Sequence, residues 1–147
     1  GALTGLNKDE MKKKYGEDQI YTFRRSWNNP PDPLKRDSPY HPLNIDIYKN
    51  IPIKKIPDTE SLKNTYDRVV PYYKKNIKKK MNENIIVSAH GNSIRSLCKY
   101  LFNINNDEIS KLEIPTGNPL LIKFKDDIVT SANYLDKERA KDLIKFD

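Results

Sequence analysis

Hydrophobic positions along these 147 residues fall in short clusters whose spacing changes from segment to segment. Residues 6–16, LNKDEMKKKYG, read as a short helix with Asn7 as N-cap and Gly16 as stop. Residues 17–27, EDQIYTFRRSW, read as a second, with Ile20, Phe23 and Trp27 on one face. Pro30 and Pro31 end it. The longest predicted helix covers residues 58–81, where Leu62, Tyr66, Val69, Val70, Tyr73 and Ile77 form one apolar stripe. Thr59 or Asp58 can cap that helix, and Pro71 should kink it by removing a backbone donor.

The pattern then changes. Ile85, Ile86 and Val87 run into Ser88-Ala89-His90 after a turn, as a buried strand does. Ile94, Leu97, Cys98 and Leu101 mark a helix at i, i+3, i+4 and i+7, with Cys98 on the buried face as a small hydrophobe. A short helix is expected over 105–113, two strands around Asp126-Asp127 as a hairpin, and a terminal helix over 137–146. Residues 28–58 hold seven of the ten prolines and little periodicity. The apolar side chains at Ile45, Ile47, Tyr48, Ile51, Ile53 and Ile56 make that stretch a packed surface loop rather than a solvated tail. Alternating helices and strands predict an α/β fold in a single domain spanning residues 1–147. Only three strands are visible, few for a parallel sheet covered on both faces.

Composition adds limits. With 36% hydrophobic and 32% charged residues, the core must be small for the length. No apolar run reaches the length of a membrane-spanning helix, and no secretory pattern opens the sequence, so no membrane partner is expected. Cys98 stands alone, which excludes an intrachain disulfide and a cysteine metal cluster and predicts a reducing, cytoplasmic setting. The first residue is Gly, as expected of a processed product or a fragment.

The formal charge of +7 raises the question of an anionic partner. Residues 59–81 carry seven basic and two acidic side chains, so most of the excess lies in one helix. Five of the seven are Lys74, Lys75, Lys78, Lys79 and Lys80. Nucleic-acid surfaces interleave arginine and aromatics, whereas this run is nearly all lysine and reads as a solvated helix face.

Candidate chemistry centres on His90, one of two histidines. A histidine at the carboxyl end of a strand, before a helix start, stands where α/β proteins place ligands. Gly91 lets a ligand approach the backbone, Asn92 or Ser93 can cap the helix, and the free N–H groups of its first turn suit a phosphate. On this motif alone a structural histidine and a functional one stand level. His41, between prolines in a loop, is the weaker candidate. Arg24 and Arg25 are adjacent on a helix and point about 100° apart, so one can grip a ligand while the other pairs with an acid. Lys8 opens the first helix.

Read in order, GALTGLNK, YGEDQIYTFRRSWNNPPDPL, IPDTESLKNTYDRVVPYY, VSAHGNSIRSLCKYL and LEIPTGNPLLIKF resemble the 2,3-bisphosphoglycerate-dependent phosphoglycerate mutases of the histidine phosphatase superfamily. The resemblance is collinear over roughly residues 1 to 125. It implies a three-layer α/β fold, here incomplete, with few strands flanked by helices. It implies interconversion of 3- and 2-phosphoglycerate in glycolysis and gluconeogenesis through a phosphohistidine, primed by 2,3-bisphosphoglycerate and without a metal. On this basis His90 is the second active-site histidine, which hydrogen-bonds the transferring phosphoryl. Gly91 and Asn92 follow it at the phosphate, Lys8 is the lysine of GLNK, and Arg24 and Arg25 hold the phosphate and carboxylate of the substrate. PTGNP has a supporting role.

The resemblance also implies a departure. The family's nucleophilic histidine, in an RHG block, and its acid/base glutamate, in an ERHYG block, have no counterpart in these residues. These 147 residues alone are therefore expected to be inactive, with a small phosphorylated carboxylic acid as ligand and a homo-oligomer or a complementing N-terminal polypeptide as partner. Two readings compete: a non-catalytic remnant binding phosphorylated anions or a protein, and a basic nucleic-acid-binding module supported only by the lysine-rich helix.

Overall fold

The computed structural model describes residues 1–140, so most of the terminal helix expected over 137–146 lies outside the described residues. The remainder of that segment, Glu138–Ala140, is a 3-10 turn. The chain divides into two compact units, Gly1–Asn64 and Thr65–Asp147.

In the first unit, α1 (Lys8–Tyr15) begins where Asn7 Oδ1 accepts the backbone N–H groups of Asp9 and Glu10. It ends at Gly16, whose φ of 85° is strained for any residue with a Cβ. α2 (Glu17–Arg25) follows directly, and Lys12 reaches across the corner to Glu17 at 2.8 Å. Ile20 is its buried anchor; Phe23 and Trp27 are half-buried, and the helix stops at Ser26 ahead of the prolines.

The proline-rich stretch is a chain of 3-10 turns, Pro42–Asn44, Asp46–Tyr48 and Ile53–Lys55. Its ends are tied together. Leu34 N–H donates to the Asp58 carbonyl, Thr59 Oγ1 donates to the Pro31 carbonyl, and Asp58 takes both Arg36 and His41 on its carboxylate. Near its middle the Tyr40 ring covers Gly5, where a Cβ would come within 2.5 Å of the ring. The expectation that six apolar side chains pack here is corrected: Ile56 is buried, whereas Ile45, Ile47, Tyr48, Ile51 and Ile53 are exposed. The loop is held by polar ties at its base, which leave its outer residues in solvent.

α3 (Leu62–Tyr72) starts later than the sequence suggests. Its cap is Ser61, whose Oγ accepts the Asn64 N–H while Asn64 Oδ1 accepts the Ser61 N–H, a reciprocal capping box. Thr59 and Asp58 are occupied in the loop ties, which is why neither serves. Pro71 lies inside α3, and the residues after it open into a π-helical turn, Tyr73–Ile77, then a 3-10 turn, Lys78–Lys80. The apolar stripe is borne out at its anchors, Leu62, Val70 and Tyr73, all buried.

The second unit holds α4 (Gly91–Leu101) and an antiparallel pair, β1 (Leu120–Lys125) and β2 (Ile128–Tyr134). The hairpin turns at Asp126 and Asp127, with φ of 50° and 65°, the handedness that suits a two-residue hairpin loop. A bulge between Lys123 and Phe124 admits Thr130 as the extra residue. Ile109 and Leu112 are fully buried beside a 3-10 turn, Ile109–Lys111, which is all that forms of the helix expected over 105–113. Asn118 of PTGNP bonds both sides of Asp136 backbone, donating to its carbonyl at 2.9 Å and accepting its N–H at 3.0 Å.

The expected strand at 85–89 is corrected. That segment is extended but pairs with no strand among the described residues, and Ile86 is 97% exposed. A strand is completed by its neighbours' hydrogen bonds, and the hairpin does not supply them. The described fold is thus a mixed α/β arrangement of helices with one two-stranded sheet.

Candidate functional site

His90 caps α4 with its own ring. Its Nδ1 accepts the Asn92 backbone N–H at 3.3 Å, displacing the expected caps Asn92 and Ser93. Since Nδ1 is the acceptor, the neutral ring carries its proton on Nε2. His90 is exposed, and Nε2 has no partner among the described residues.

The first turn of α4 is less open than expected. The N–H groups of Ser93 and Ile94 both reach the His90 carbonyl, at 2.9 and 3.1 Å, and that of Asn92 is held by the ring. Gly91 N–H alone of these is left without an acceptor among the described residues. A Cβ placed on Gly91 would meet nothing within 4 Å, so the space beside its Cα is open. Asn92 contributes a further donor. Its Oδ1 accepts from Arg95 NH1 at 2.6 Å, and its Nδ2 has no acceptor among the described residues. Three consecutive residues therefore carry donors without an acceptor among the described residues: imidazole Nε2–H, backbone N–H and amide N–H.

Arg95 was not singled out by the sequence reading. It is only 6% exposed, and its Nε donates to the Leu112 carbonyl at 2.9 Å. The signal was a charged residue one turn after Asn92, on the same helix face. Cys98 is 1% exposed and burial pushes its thiol up to about 12, so the reading of it as an inert hydrophobe is borne out.

The other candidates lie in the first unit. Lys8 is the exposed first residue of α1 and has no hydrogen-bonding partner among the described residues. Arg24 and Arg25 close α2; Arg24 is exposed, whereas Arg25 is half-buried and engaged. His41 is fully buried with both ring nitrogens bonded, Nδ1 accepting Leu43 N–H at 3.2 Å and Nε2 donating to Asp58 at 3.0 Å. It is a structural residue of the loop.

In the lysine-rich segment, Lys78 pairs with Asp127 at 3.1 Å and Lys74 lies 4.9 Å from the centre of the Tyr100 ring. A groove of about 250 Å³ beside Tyr73, Tyr100 and Leu101 holds none of the candidate residues. Among the described residues no three His, Cys, Asp or Glu side chains gather as metal ligands, and no helix is long and apolar enough to cross a membrane.

The sequence profile of the histidine phosphatase superfamily (branch 1) matches residues 34–136. A 2,3-bisphosphoglycerate-dependent phosphoglycerate mutase of Pelagibacter ubique (strain HTCC1062) is 61% identical over 99% of this chain and 63% of its own length. Proteins of the same name from Maricaulis maris (strain MCS10) and Hydrogenobaculum sp. (strain Y04AAS1) are 48% and 44% identical, over 97% and 99% of this chain and 60% of each relative. The chain spans about three-fifths of the length of these curated relatives. His90, Gly91 and Asn92 lie within the matched profile, and the chain belongs to the histidine phosphatase superfamily, branch 1.

Proposed function

We propose that this chain carries the phosphoryl-steadying and substrate-holding groups of a 2,3-bisphosphoglycerate-dependent phosphoglycerate mutase, an enzyme interconverting 3- and 2-phosphoglycerate in the cytoplasm. The observation that supports it most is the set of donors on His90, Gly91 and Asn92 that have no acceptor among the described residues. These groups fit a phosphorylated anion, because they are donors only and no carboxylate is bonded to them. The cofactor that the relatives' name implies supplies the priming phosphoryl group when bound.

On this reading His90 donates Nε2–H to a phosphoryl oxygen, a bond that strengthens as charge builds there. Gly91 N–H and Asn92 Nδ2–H hold the remaining oxygens in place. Lys8 and Arg24 supply positive charge for the substrate's phosphate and carboxylate, and Arg25 is the arginine paired within the protein. On the same reading His90 steadies the phosphoryl, and His41 is not its acceptor, which its burial and the bonds on both its ring nitrogens support.

The test is calorimetric titration of the 147-residue chain with 3-phosphoglycerate, beside a coupled mutase assay. Binding in the micromolar range is expected, weakened about tenfold or more by His90→Ala or Arg24→Ala, with no turnover. Turnover dependent on 2,3-bisphosphoglycerate and above the His90→Ala level would overturn the account of His41. A second reading, a non-catalytic binder of phosphorylated anions, is favoured by that same double bonding of His41. Adding in trans the part of the Pelagibacter relative outside the match distinguishes them: restored turnover supports the mutase reading, and binding without turnover the second.

A further inference from the structure

The Arg95 guanidinium is buried, at 6% exposure. Its fork reaches two neutral acceptors, the Leu112 carbonyl at 2.9 Å and the Asn92 amide oxygen at 2.6 Å. Leu112 is fully buried, so one edge of the guanidinium is fixed by the core. Asn92 and Arg95 are three residues apart on α4 and share a face.

An arginine only donates, so the atom of Asn92 that faces it must be the oxygen. The amide nitrogen is thereby turned away from Arg95, and it has no acceptor among the described residues. An amide free to flip would present an acceptor there half the time, and an acceptor repels a phosphate. We propose that Arg95 is a positioning residue for phosphate recognition: it locks the Asn92 amide so that this residue always presents a donor to the anion. The inference rests on the phosphate-binding reading above and adds to it a residue that touches no ligand. Lysine cannot replace this function, because a single ammonium does not hold two acceptors in a fixed planar fork.

The probe is 3-phosphoglycerate, titrated into wild type, Arg95→Lys, Asn92→Ala and the double variant, with a thermal melt of each. Asn92→Ala is expected to weaken binding about tenfold and Arg95→Lys about fivefold, the double variant matching Asn92→Ala alone. Equal losses from Arg95→Lys in both backgrounds would overturn the proposal, since Arg95 would then act other than through Asn92. So would unchanged affinity in Arg95→Lys. A wild type that binds no phosphoglycerate overturns the phosphate-binding reading and this one with it.

Asn92→Asp keeps the acceptor for Arg95 and removes the donor, so it covers the case in which Arg95→Lys does not fold. Expected are an undiminished melting temperature and binding lost at least tenfold. A melting temperature that falls, or affinity that survives, would overturn the assignment.

Discussion

His90 and His41 show how the same side chain takes different roles from its surroundings. Each ring accepts a backbone N–H two residues on, which fixes the proton on Nε2 in both. In His41 that Nε2 ends on a carboxylate inside the loop, while in His90 it faces out. The sequence marks His41 as the weaker candidate from its place between prolines, and this contact is not legible there, because Asp58 lies 17 residues from His41 with no periodicity linking them. Asp58 is the hub of that loop, and the Arg36 and then the His41 hydrogen bonds hold its carboxyl below the usual carboxylate range. A depressed folded value means the ties contribute stability above the ordinary carboxylate pKa and lose it as pH falls through the folded value. Melting wild type and Asp58→Asn between pH 7 and pH 2 is expected to show wild type more stable near neutrality and the gap closing in acid. A gap that stays constant with pH would assign the stability to the loop's backbone bonds alone.

At the scale of elements, local signals were read well and relational ones were not. α1 is bounded by Asn7 and Gly16 as the sequence indicates, and α4 carries its apolar spacing, because capping and periodicity operate within a few residues. The start of α3 was misjudged in a run of eligible caps, Asp58, Thr59 and Ser61. Two of these are taken by contacts with Arg36, His41 and Pro31, leaving Ser61, and Asn64 three residues on completes the box. Ser61→Ala should therefore destabilise by about 1 kcal/mol, whereas Thr59→Ala affects only the Pro31 tie. Urea unfolding of both variants measures this; an unperturbed Ser61→Ala would place the helix start elsewhere. Pro71 was expected to kink its helix, and the regular α-helix gives way to a π-helical turn two residues after it.

For the whole molecule, the segment from Ile85 to Ala89 is where sequence and structure part. Its composition is that of a strand buried on both faces, and the residues around it supply no partner for its backbone groups. The hydrophobic run was legible because it is local, but the strands that would flank it are not a property of the run. Ile86 stands fully in water and Ile85 and Val87 partly so, at 97%, 38% and 43% exposure. Burying an isoleucine contributes about 1.5–3 kcal/mol, and unpaired strand edges are templates for pairing, so association with a second copy through this segment is the outcome to test. Sedimentation velocity is expected to show the 147-residue chain moving from monomer to larger species as concentration rises, with Ile86→Lys shifting it back toward monomer. Retained binding of 3-phosphoglycerate by Ile86→Lys would show that the variant still folds. A wild type that stays monomeric throughout would mean that solvent alone is a sufficient neighbour for this segment, and that His90 keeps its place at the head of α4 through the ring–backbone bond to Asn92 and the turn it caps.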